Sequence, residues 1–337
     1  MASLKTYIIT RVLLTIPMIF ILLTLVFFVM RVLPGNPVIA MVGMKASQKY
    51  IEQLEHELGL DKPLWEQYID YLNQLLHGDL GRSMIWGRRP VINEIMDHFP
   101  ATLELTIWGF IFSVLLGLAT GMVAGIRKGG KTDFAMRVYS IVVYSLFIPW
   151  FGMMLQLIFG VWLHALPVGG RINPLLTPKH ITGLYVLDSI LTWNLPALSS
   201  SIRHLILPSL TLGIVLSGIY TRLVRSSLIE VLGQDFIRAC KSRGLPERSI
   251  LFRHGLKNAL IPILTMMGLQ FALLLAGAVL TETTFSWPGI GTFLMERIEY
   301  RDFTTVQGTI VFYAVFVALI SLVVDLIYAY VDPRVRY

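Results

Sequence analysis

Residues 235–262 read DFIRACKSRGLPERSILFRHGLKNALIP, a basic stretch set inside a chain that is otherwise mostly apolar. From Asp235 onward, Phe236, Ala239 and Cys240 fall three and four residues apart and share one helical face, while Arg238, Lys241 and Arg243 lie off it. Gly244 supplies the left-handed residue that commonly ends a helix, and Pro246 suits the first turn of the next one. The spacing predicts helix, tight corner, helix. A rigid corner with an apolar face, protruding between two membrane spans, fits a groove on another protein, because lipid and water each reject one of its faces. On composition alone, the same stretch reads equally as a basic loop lying on anionic headgroups.

The surrounding chain is membrane. Its 337 residues are 55% hydrophobic and 15% charged, with a mean hydropathy of +0.68, outside the range of soluble domains. The net charge of +7 sits in short loops between apolar runs, where the positive-inside rule accounts for it without any nucleic-acid partner. Cys240 is the sole cysteine, so no internal disulfide forms, and no Cys/His cluster has metal-ligand spacing. The 14 methionines are scattered through apolar spans and read as packing.

Six uncharged runs follow in order: Val12–Met30, Leu105–Ile126, Val138–Leu163, Leu205–Thr221, Ala259–Thr281 and Phe303–Val324, each near the roughly 20 residues that cross a bilayer. The first exceeds a usual signal-peptide core and is followed by Arg31 and LPGNP, with no small-residue cleavage site, so it reads as a span. Residues 34–104 form a polar segment with helical patterns at Tyr50–Leu58 and Leu64–Leu76, separated by Gly59 and Pro63 and closed by Gly78 and Gly81; this is a small folded cap. In the second span, Gly109, Ser113, Gly117, Gly121 and Gly125 recur every four residues and leave a ridge that another helix can approach closely. Pro149 is expected to kink the third span. His164–His204 reads as a partly irregular external loop. Trp150, Trp162 and Trp287 are expected at membrane interfaces.

The division is thus residues 1–33, an N-terminus and first span; 34–104, the cap; and 105–337, a core of five spans with the corner inside a loop at 222–258. Lys and Arg outnumber acids in the termini and the even-numbered loops, whereas the other three loops are net negative. The expected fold is an all-α integral membrane protein of six transmembrane helices with both termini and the corner loop cytoplasmic.

No P-loop, HExxH, GxSxG or intramembrane carboxylate pair is present, so the chain carries no catalytic site and no metal site that the sequence reveals. The six runs hold no Asp, Glu, Lys, Arg or His, which counts against a proton- or sodium-driven carrier. Asp325, one residue past the sixth run, could relay protons, but is expected to snorkel or to pair with a basic residue near the cytoplasmic interface, such as Arg222 or Arg225. A stand-alone channel or secondary transporter is the alternative class.

At several places the residues carry a family resemblance. LPGNP (Leu33–Pro37), GLDKPLWEQY (Gly59–Tyr68), HGDLGRS (His77–Ser83), TETTFSWPGIG (Thr281–Gly291), RDFTTVQG (Arg301–Gly308) and the terminal DPRVR resemble the membrane subunits of bacterial ATP-binding-cassette importers, in the dipeptide and oligopeptide permease branch. In that family a cytoplasmic loop carries Glu-Ala-Ala, three residues and Gly. Ala239 and Gly244 match; Arg238 stands at the Glu position, Cys240 at the second Ala, and no Ile-x-Leu-Pro follows at the family spacing. The resemblance implies a homologous second permease, two cytoplasmic ATP-binding subunits that hold ATP and Mg, and an extracytoplasmic solute-binding protein, with no cofactor on this chain. It implies alternating access in a bacterial cytoplasmic membrane, with Asp235, Phe236, Arg238, Ala239, Cys240, Arg243, Gly244 and Leu245 coupling to the ATPase. The cap from Lys45 to Pro100 and the Pro167–Leu198 loop would then meet the binding protein. Import of nickel or another small solute by the same architecture is the alternative cargo.

Overall fold

The computed structural model describes residues 4–32, 38, 47–57, 59–83, 85 and 87–331. LPGNP at Leu33–Pro37 and DPRVR at Asp332–Arg336 lie outside them. The named elements of the described residues are all helical.

Helix α1, Leu4–Val32, is apolar around its circumference, as a lipid-facing helix must be. Two short helices follow, α2 at Gln48–Glu57 and α3 at Leu64–Leu76. Gly59 turns the chain between them with a φ of 64°. Helix α3 lies against the end of α1: the Phe27 ring meets Tyr68 at 5.1 Å and Tyr71 at 5.4 Å, and the Tyr71 hydroxyl donates to the Leu23 carbonyl at 3.3 Å.

Helix α4 runs from Val91 to Ile126, 36 residues. It starts 14 residues before the apolar run at Leu105, so the last part of the polar segment is the first part of a long helix. Pro90 precedes it, and Pro100 sits inside it. Its main partner is α8, Leu195–Leu232. Asn194 caps α8 by accepting the Ala197 N–H at 3.1 Å. The fourth span thereby begins ten residues before Leu205.

The third run is not one kinked helix. Helix α5, Lys131–Ser145, stops, and α6, Ile148–Leu155, leaves at 101° and continues as a π-helical stretch, Gln156–Trp162. Leu146 and Phe147 are extended, and Pro149 lies in the first turn of α6, where its missing N–H costs no helical bond. The proline opens a helix here; the break precedes it.

His164–His204 is more ordered than its composition suggests. It holds a 3₁₀ turn at Pro174–Leu176 and helix α7 at Tyr185–Leu191 before α8 begins. Asp188 organises it by accepting the N–H groups of Ile181, Thr182 and Gly183 at 3.2, 2.8 and 3.0 Å and the Thr182 hydroxyl at 2.6 Å. Burial works against its charge, but these donors hold the carboxyl below the ordinary range.

After α9, Asp235–Ser242, one turn at Glu247–Ser249 passes through a π-helical stretch, Ile250–Leu256, into α10, Lys257–Gly277. Helices α11, Val279–Thr284, and α12, Ile290–Glu299, form a hairpin ahead of α13, Phe303–Val331. Among the described residues four helices are long and apolar enough to cross a membrane, or up to six if each bent pair counts as one span. The largest buried apolar cluster joins Ala101 and Leu105 of α4, Leu205 and Leu212 of α8, Leu274 of α10 and Trp287 of the hairpin. Trp287 is therefore not an interfacial aromatic: it is 0% exposed and donates its indole N–H to the Ala101 carbonyl at 2.8 Å. Trp150 and Trp162 are exposed.

Candidate functional site

The corner protrudes from the end of α8. Its eight-residue helix α9 is fixed by a side chain outside the Phe236 face: Ile237 is fully buried, as is Ile250 on the following π-helical stretch, and the two segments pack together. Around that anchor, Asp235, Phe236, Arg238, Ala239, Arg243, Gly244 and Leu245 are exposed, and Cys240 is half-buried. Phe236 and Leu245 are large apolar side chains, 38% and 37% exposed. Arg238 pairs with Asp235 at 3.3 Å, one turn apart and fully in solvent, so the pair adds little to stability.

The end of α9 is closed by two backbone bonds. The Gly244 N–H donates to the Lys241 carbonyl at 2.9 Å and the Leu245 N–H to the Cys240 carbonyl at 3.3 Å, the paired pattern of a Schellman cap. Gly244 has a φ of 71°, which side chains with a Cβ resist. Nothing lies within 4 Å of where its Cβ would be, so backbone conformation alone demands the glycine. Pro246 then starts the next helix, its carbonyl accepting from Ser249 and Ile250 at 2.9 and 3.1 Å.

The small-residue ridge is buried along α4 and faces α8. A Cβ on Gly109 would come within 3.1 Å of Leu212, on Gly121 within 2.6 Å of Val224, and on Gly125 within 3.0 Å of Leu228; Gly117 faces Tyr220 still more closely. Ser113, also buried, donates its hydroxyl to the Phe110 carbonyl at 2.8 Å. The ridge thus fixes α8, and α8 leads directly into the corner.

The structure also gathers buried ionisable groups that the sequence did not reveal. Arg171 donates twice to Glu104, at 2.9 and 2.6 Å, and its guanidinium lies 3.8 Å from the Tyr185 ring centroid. Glu94 pairs with Arg297 at 3.1 Å. Asp133 binds Arg225 at 2.5 and 2.9 Å. Glu282 is fully buried and accepts the Thr102 hydroxyl at 2.6 Å and the Thr292 N–H at 3.1 Å. Its burial pushes the carboxyl up, against the lowering effect of those bonds. Asp325 pairs with Arg11 of α1 at 3.2 Å, and Arg225 is committed to Asp133. Asp325 thus pairs with a basic residue, as expected, but with Arg11 in place of Arg222 or Arg225, because α1 runs alongside α13.

Residues 113–337 match the family described as the binding-protein-dependent transport system inner membrane component, and residues 4–106 match its N-terminal companion. The chain belongs to that family. It is 41% identical over 331 residues to the dipeptide transport system permease protein DppB of Alkalihalophilus pseudofirmus, covering 98% of this chain and 99% of that one. It is also 41% identical over 334 residues to the di/tripeptide permease DppB of Pseudomonas aeruginosa, covering 98% and 99%. Against the glutathione permease GsiC of Escherichia coli it is 37% identical over 333 residues, again covering 98% and 99%. Among solved structures, the fold resembles the inward-facing MetNI methionine ABC transporter, with a TM-score of 0.52 and 16% identity over 69% of this chain and 93% of that one. The chain is a permease subunit of the ABC importer class.

Proposed function

We propose that this permease moves dipeptides or oligopeptides across the bacterial cytoplasmic membrane by alternating access, driven by ATP hydrolysis in separate subunits. The observation that carries the coupling mechanism is the exposed corner: a helix anchored by one buried isoleucine, closed at Gly244, presenting Phe236 and Leu245 with Arg238 and Arg243 beside them. Such a surface suits a groove with an apolar floor and an acidic rim. The π-helical stretch after the corner and the close α4–α8 contact would transmit its displacement to the spans. With six spans, each bent pair crossing once, and with both termini cytoplasmic, the corner would lie on the ATPase side. Peptide cargo is supported by relatives named for dipeptides and di/tripeptides that align over nearly the full chain.

The test is subunit retention. Phe236→Asp with Leu245→Asp puts charge on the apolar part of the corner without touching Ile237. The doubly substituted chain is expected to reach the membrane with its second permease and to lose the ATP-binding subunits on purification. Undiminished retention would rule the corner out as the docking surface.

A further inference from the structure

Two cavities meet where α1, α3 and α13 converge. One, of about 380 Å³, is polar, lined by Arg31 at the end of α1, Lys62, Asp70, Asp79, Arg82 and Gln307. The other, of about 520 Å³, is apolar, with Ile16, Phe20 and Leu23 of α1 across from Val311, Val315 and Leu319 of α13. Both are lined by Leu75, Leu80 and Val311. They adjoin across these three side chains, with a polar head and an apolar tail.

The dimensions are those of one membrane leaflet. Leu23 and Ile16 lie about 12 and 22 Å along α1 from Arg31, and Leu319 about 18 Å along α13 from Gln307, at the helical rise per residue. Half the hydrocarbon core is about 15 Å. Two spans change from polar to apolar together, in the same direction, over that depth.

The charges at the head are not balanced internally. Lys62 is held by Asp70 at 2.6 Å and His56 by Asp61 at 2.8 Å, and Asp79 accepts the Gly81 N–H at 2.8 Å. Half-buried Arg31 has no hydrogen bond or ion pair with any described residue, and Arg82 has no acidic partner among them. On the same wall, the Gln307 amide is buried beside the Tyr71 hydroxyl. A guanidinium with no acceptor among the described residues, at the polar end of two apolar spans and beside an apolar groove, fits an anion attached to a hydrocarbon chain.

We propose that this groove binds a glycerophospholipid, with its phosphodiester against Arg31 and one acyl chain between α1 and α13 under α3. The lipid would fill the wedge between α1 and α13 and tie the α2–α3 cap to the bilayer. The proposal rests on α1 and α13 being membrane spans and is independent of the cargo.

The test is native mass spectrometry of the full chain with its co-purifying subunits, stripped with detergent and then titrated with dioleoylphosphatidylglycerol or with sodium phosphate. One saturable lipid adduct per copy is expected, with occupancy at least fivefold lower in Arg31→Gln and in Val315→Trp, restored in Arg31→Lys, and no adduct from phosphate alone. Absence of a saturable lipid adduct on the wild-type chain, or equal occupancy in both variants, would overturn the site. Phosphate binding that depends on Arg31 while lipid does not bind would overturn the acyl-chain assignment.

Discussion

Gly244 shows what one residue contributes to the corner. An L-residue at its φ of 71° costs about 1–2 kcal/mol, and a β-branched one more, while no neighbouring atom opposes a side chain there. Gly244→Val is therefore expected to leave the spans assembled but reshape the corner, so that ATP turnover continues with peptide uptake reduced at least tenfold in proteoliposomes; wild-type uptake would contradict this. Glu282 gives a pH prediction. Its carboxyl is pushed up by burial, so its stabilising contribution is fully present below the unfolded value near about 4.3 and declines as pH rises through the folded value. The melting temperature of the wild type relative to Glu282→Gln is expected to fall from pH 5 to pH 8, and a difference that rises with pH would refute the assignment. Gly244 was legible in the sequence because left-handed backbone is a local property. Ile237, Glu104 and Glu282 were not legible in their roles. Arg171 lies 67 residues from Glu104 and Thr102 lies 180 from Glu282, and only the packed helices bring them together.

At the scale of elements, the ridge from Gly109 to Gly125 determines how α4 meets α8. Gly121→Leu would drive a side chain into Val224, whose Cβ lies 2.6 Å from where a Cβ at position 121 would sit; overpacking of this kind costs about 1–3 kcal/mol. The expected result is a lower melting temperature and poorer recovery of the assembled complex, with Ala at the same position milder. Wild-type melting for the Leu variant would show that the two helices do not need this approach. Arg171 is the pin for the loop before α8. Arg171→Ala leaves the Glu104 carboxylate buried without its ion-pair partner, at a cost of about 3–5 kcal/mol, whereas Arg171→Met with Glu104→Leu is expected to be milder, losing the Val186 N–H and Gly183 carbonyl bonds but burying no lone charge. Equal destabilisation by the single and double changes would contradict the pairing. The apolar runs located these elements but not their ends. Helices α4 and α8 start 14 and ten residues before their uncharged stretches because buried ion pairs and a side-chain cap satisfy the extra polar groups. Pro149 misled for the opposite reason: proline inside an apolar run signals either a kink or a helix start, and only the extended Leu146 and Phe147 decide between them.

The whole molecule places a small polar cap on α1, a close pair of long helices at its centre, and one exposed corner reached through α8. In the proposed mechanism, motion of an ATPase pair against that corner tilts α8 and, through the glycine ridge, α4, so that the pathway opens alternately to each side. In that mechanism force would enter at the corner, and separate subunits would hold the nucleotide. The most direct measurement is purification of the tagged chain from its native membrane in mild detergent, with identification of what remains bound and assay of ATP hydrolysis. The account predicts a second homologous permease, two ATP-binding subunits and measurable hydrolysis, lost together when Phe236 and Leu245 carry charge. A lone or homo-oligomeric chain without ATPase activity, under conditions that keep other ABC importers intact, would contradict it.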